Sequence, residues 1–189
     1  MEALKIIFVC IVAAVLYGIA HDQVTARICI EYFTVFHPPV FPTQSPTLLG
    51  LGWGIIATWW VGAALGLLLA FAARGGSRPK LPAVALFVPI GKLLLTMASC
   101  AAISGLAGFL VARRHLIAPP EWVLYSLAPS ARARFMAVWW AHSASYAVGF
   151  LGGVALCIVQ YRRRTRVASL QKIEMEKPRQ DSNKLPSSL

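Results

Sequence analysis

Four long runs of almost purely apolar residues restrict what this chain can fold into more than any other feature. They cover about 3–20, 48–73, 90–112 and 131–161. An α-helix rises about 1.5 Å per residue, so roughly 17–25 such residues cross the hydrocarbon of a bilayer. The sequence predicts an all-α integral membrane bundle of four transmembrane helices. Only 13% of its 189 residues are charged, against about 25% in a soluble domain, and the mean hydropathy is +0.65.

Two readings of the first run stay open: a membrane span, or a cleavable leader, since Lys5, an apolar middle and the small residues Gly18 and Ala20 before His21 resemble one. Either reading puts His21 on the far side of the membrane. In the connection that follows, Val24, Ile28, Tyr32 and Phe36 recur every four residues and predict a short interfacial helix ending near Phe36. Pro38, Pro39 and Pro42 then stop it. Ser45-Pro46 is a helix start, the serine capping and the proline tolerated in the first turn. Residues 74–82 read as a basic turn, and 83–88 enter the third span along the interface. A second interfacial helix is predicted over Pro120 to Leu127, with Trp122 and Tyr125 at the headgroups. Residues 162–189 read as a basic, mostly disordered tail.

The formal net charge of +11 raises nucleic acid as a partner, but eight of the eighteen Lys and Arg follow Gln160 directly after an apolar run. That placement marks a membrane-flanking tail and argues against nucleic acid. With both termini cytoplasmic, twelve positive residues lie inside and five outside, the asymmetry that cytoplasmic loops show. Cys10, Cys29, Cys100 and Cys157 are too far apart for a CxxC motif and do not form a disulfide framework.

The two outer connections echo one another. Pro38-Pro39 precedes Trp59-Trp60, and Pro119-Pro120 precedes Trp139-Trp140 at nearly the same interval, so each half reads helix, double proline, helix with double tryptophan. Two repeated helical hairpins would give this pattern, and so would chance in a Trp-rich chain. Gly62 with Gly66, Ser104 with Gly108 and Gly149 with Gly153 are small-xxx-small pairs that let backbones approach in lipid, within a bundle or in a homodimer.

No GxSxG, HExxH or phosphate-cradling glycine loop occurs, so recognisable soluble-enzyme chemistry is absent. All four histidines, with Asp22, Glu31 and Glu121, fall on the outer side. His142 lies inside an apolar helix about eleven residues from its outer end, roughly 16 Å down and level with Trp59 and Trp60. An ionisable residue there faces protein or a water-filled cavity. It is either a functional group or a neutral histidine bonded to a neighbour, for instance through Ser143 or Ser145. The paired tryptophans, Trp59, Trp60, Trp139 and Trp140, either line an apolar pocket or pack the bundle. His21, Asp22, Glu31 and Tyr32 complete the candidate ligand or polar network. Imidazole with carboxylate suits a divalent transition metal, zinc, iron or copper, and His21, Glu31, His37 and His142 are the candidate ligands. His142 sits well below the others in this reading, so they meet only if the loop dips between the helices.

The segment YGIAHDQVTARICIEYFTVFHP, Tyr17 to Pro38, resembles the signature of an uncharacterised family of bacterial multi-pass inner-membrane proteins, in which HDQxT and EYFT elements follow the first helix. The resemblance extends loosely through Ser45 to Gly62 and the WAHSASY stretch around His142. It implies a bacterial inner membrane and carries no activity with it.

Three functions compete. The favoured one is a non-enzymatic membrane protein whose outward-facing His/acidic pocket binds a metal ion or small ligand. The second is an enzyme or transporter for a lipid or amphipathic substrate, with His142 as acid or base and Arg132 or Arg134 holding an anionic headgroup. The third is a structural subunit assembling with other membrane proteins.

Overall fold

The computed structural model describes residues 1–182, with side chains to Met175. The described residues contain four helices long and apolar enough to cross a bilayer. α1 is Glu2–Ile28 and is followed by a single turn, α2, Glu31–Thr34. The second span is built from α3, Pro46–Ile56, and α4, Trp59–Arg74. A 3-10 turn, Ala83–Leu86, leads into α5, Phe87–Arg113. The short α6, Glu121–Ser126, precedes the long α7, Pro129–Ser182.

Four features depart from the sequence reading. α1 does not stop where polar residues begin at His21 but runs two turns further, absorbing the start of the interfacial helix expected around Val24 to Phe36, of which the rest is reduced to the single turn α2. Its polar groups there bond to protein, so the loss of hydropathy does not end the helix. The second span is broken at Ala57-Thr58, where the Thr58 hydroxyl bonds the Gly54 carbonyl and the Thr58 N–H reaches only to Ile55. Ser45 caps α3 as expected, its hydroxyl accepting from Leu48 N–H. α7 does not end at Tyr161, and residues 162–182, read as mostly disordered, continue as helix; 183–189 lie outside the described residues. Within that continuation Arg164 is 1% exposed. Its guanidinium donates to the carbonyls of Ala72, Gly75, Arg78 and Pro79 at 2.7–3.1 Å, so it closes the C-terminal end of α4 and the turn after it.

Packing divides the bundle into two antiparallel hairpins, α1 against α3 and α4, and α5 against α7. Glycines set the closeness of the first. A Cβ on Gly54 would lie 2.5 Å from the Ile19 nitrogen, and one on Gly62 2.7 Å from the Cys10 carbonyl oxygen. In the second hairpin the Ser104 hydroxyl donates to the Trp140 carbonyl at 3.2 Å, and a Cβ on Gly108 would lie 2.8 Å from the Met136 carbonyl oxygen. Elsewhere the outward faces carry Phe8, Phe71, Ile103 and Leu151, each more than 60% exposed. A soluble protein cannot present such a surface continuously to water. Hydrocarbon accommodates it.

Candidate metal centre

The extension of α1 past Ala20 keeps His21 within the helix and beside His142 of α7, and the two rings meet edge to face with centroids 4.5 Å apart. Asp22, His142 and Ser145 are all buried among the helices. The His142 Nδ1 lies 2.9 Å from the Val138 carbonyl oxygen and its Nε2 lies 3.2 Å from Asp22 Oδ1. A carbonyl only accepts, so Nδ1 carries the hydrogen and Nε2 presents either a lone pair or a second proton toward Asp22. His21 is stacked on Tyr17, and its Nε2 is buried with no hydrogen-bond partner among the described residues. The Tyr17 and Ser145 hydroxyls bond each other at 2.8 Å beside it.

One ligating atom from each of His21, Asp22 and His142 lies within 4.8 Å of the others. Around a tetrahedral ion with bonds of about 2.0–2.1 Å, neighbouring ligand atoms stand roughly 3.4 Å apart. The set, spanning up to 4.8 Å, would have to contract to that size around an ion. Two imidazoles and one carboxylate with open positions suit first-row divalent ions. The back-bond from His142 Nδ1 to Val138 is the kind of outer-shell contact that fixes the tautomer of a ligating histidine.

The other candidate residues divide. Glu31 turns toward the surface, where it accepts from the Cys29 thiol at 3.3 Å and faces Arg134 at 3.9 Å. His37 is held away from the ligand set, its Nδ1 donating to the Tyr32 carbonyl at 2.8 Å and its ring lying against Trp53. Tyr32 takes the position over the site that the sequence reading allowed Glu31 or His37, its ring 4.6 Å from that of His142. Arg132 donates to the carbonyls of Leu124 and Leu127 and so caps α6. Trp59 and Trp60 are both more than half exposed, Trp139 packs on Trp122, and Trp140 lies against Gly108.

The groups above the centre are neutral. Burial pushes the Cys29 thiol up to about 12, so it offers no thiolate. Burial likewise raises the Tyr32 phenol and lowers the His37 imidazole. Desolvation disfavours the charged form of each.

Asp22 was legible as a member of the ligand or polar network but not as a metal ligand, and Tyr17 was missed. The missing signal is the phase of α1: if the helix continues past Ala20, Tyr17, His21 and Thr25 fall on one stripe at i, i+4 spacing. Likewise His142 and Ser145 stand at i, i+3 on α7. The chain has no match among protein-family models, curated proteins or solved structures, so this centre is interpreted from its own geometry alone.

Proposed function

We propose that this is a bacterial inner-membrane protein with both termini cytoplasmic, whose outward-facing centre of His21, Asp22 and His142 binds a divalent transition metal, zinc being the simplest fit. We assign the centre to binding rather than catalysis. The observation that carries the reading is the buried, unpartnered Nε2 of His21 beside the Nε2 of His142 and the Asp22 carboxylate. A buried donor or acceptor left unsatisfied costs about 1–3 kcal/mol. An ion shared by the three groups removes that cost, taking a lone pair from each imidazole and from the carboxylate.

The 3.2 Å contact between His142 and Asp22 supports a second reading, a buried imidazolium–carboxylate pair with a purely structural role. That pair would leave His21 without a partner. The two readings separate by elemental analysis of protein purified without chelator and after zinc loading. Stoichiometric zinc in wild type, lost in His21→Ala and in His142→Ala, supports the metal centre. Metal-free wild type that takes up no zinc leaves only the ion pair.

A further inference from the structure

Beside the centre, the seam between the two hairpins holds a cavity of about 490 Å³. His21, Asp22, His142 and Ser145 line one end, and Cys10 and Leu69 the other. From His21 to Cys10 along α1 is roughly 16 Å. The wall between is almost wholly apolar, and its rim residues Trp60, Leu68 and Phe150 are more than half exposed on the outer faces of the bundle. The cavity therefore opens sideways, toward hydrocarbon, while Tyr32 lies over the centre from the loop side.

Charge identifies the head group such a cavity takes. A divalent ion held by one carboxylate and two neutral imidazoles keeps a net charge of +1, which is costly to leave uncompensated in an apolar interior. Three protein ligands also leave a fourth position open. An anionic oxygen head fills that position and cancels the charge. A long apolar tail fills the cavity, whose volume lies in the range of small-molecule sites, roughly 300–1,000 Å³.

We propose that the centre binds a long-chain carboxylate drawn laterally from the bilayer, the carboxylate on the metal and the acyl chain running toward Cys10. This rests on the metal reading and adds the class of ligand. The hydroxyls of Tyr17 and Ser145, next to His21, bond each other, and the one that accepts in that pair keeps an O–H to donate to the second carboxylate oxygen.

The test uses the full chain in nanodiscs of neutral phosphatidylcholine, with labelled laurate as the probe and dodecanol as an uncharged competitor of equal chain length. Zinc-loaded wild type is expected to bind laurate saturably, with chelator treatment or dodecanol in its place weakening binding at least about tenfold. Gly149→Phe places a ring in the cavity where a Cβ meets only the flexible end of Met97, at 2.9 Å. It should keep zinc and lose laurate. Leu65→Phe, on the opposite wall, serves as a second block should Gly149→Phe fail to fold. Zinc-loaded protein that binds no laurate, or binds dodecanol equally well, overturns the inference and leaves the metal centre standing. Laurate binding untouched by either blocking variant, or by removal of zinc, overturns the proposed pose. A protein without zinc overturns both readings.

Discussion

Asp22→Asn separates the metal reading from the structural one because it acts in opposite directions on them. The substitution keeps shape and removes charge. Without metal, wild type buries a carboxylate 3.2 Å from the Nε2 of His142. The asparagine amide can donate N–H to that nitrogen instead, while Nδ1 continues to donate to Val138. Replacing a buried ion pair by a satisfied neutral contact is often neutral or stabilising, so metal-free melting should stay within about 2 °C of wild type or rise, at roughly 2–4 °C per kcal/mol for a chain this long. Zinc behaves oppositely. At a free concentration of about 100 Kd it stabilises wild type by about 2.7 kcal/mol, or roughly 5–11 °C. Losing the one charged ligand and weakening affinity about 100-fold leaves zinc near its Kd, which yields about 0.4 kcal/mol, or roughly 1–2 °C. Differential scanning fluorimetry in detergent, with chelator and with zinc, reads both quantities. Wild type that gains nothing from zinc would refute the metal reading, and Asp22→Asn strongly destabilised under chelator would refute the exchange of the pair for a satisfied neutral contact.

Three further outcomes follow from the structure. A phosphatase fused after Ser45 or Ser126 should be active in the periplasm and one fused after Ser77 or Ser169 inactive; the reverse pattern overturns the proposed orientation. Arg164→Ala should lower stability by about 3 kcal/mol, since several buried carbonyls lose a charged donor worth roughly 1–3 kcal/mol each and the turn regains some water; Arg164→Lys should recover only part, because an ammonium cannot reproduce the planar fork. An Arg164→Ala melting curve equal to wild type would show that the turn after α4 closes without it. Burial lowers the His37 imidazole below its usual 6.5, so below that pH the unfolded chain binds the extra proton and wild type loses stability as pH falls toward the folded value. His37→Gln should flatten that part of the profile, and an unchanged slope would place its origin elsewhere.

The spans were readable because lipid imposes length and apolarity directly on the sequence. Their ends were not, for a physical reason visible at His21-Asp22: hydropathy falls where side chains become polar, but a helix continues wherever those side chains find protein partners. His142 was legible as an ionisable group within an apolar run. Its partners depend on the rotation of α1 against α7, which no one-dimensional pattern carries. Arg164 misled for the same reason. A basic cluster reads as a solvated tail, yet one of its guanidiniums lies beneath the carbonyls that end α4, groups that need a donor wherever they are buried.

The three small-residue pairs looked equivalent in sequence, and their different uses explain why the polar groups gather where they do. Gly62 and Gly66 seat the backbone of α1, and Ser104 and Gly108 seat that of α7, so close approach is concentrated inside each hairpin. Gly149 and Gly153 meet only the ends of Met97 and Leu65. They border the cavity between the hairpins instead of closing it. A bundle zipped twice within its halves and loosely across its middle leaves apolar space between the halves, including the seam bordered by Gly149 and Gly153. The buried Asp22, His142 and Ser145 and the half-buried Tyr17 and His21, belonging to neither tight interface, then share one end of that seam. There one ligating atom from each of His21, Asp22 and His142 lies within 4.8 Å of the others, the spacing on which the proposed metal centre rests.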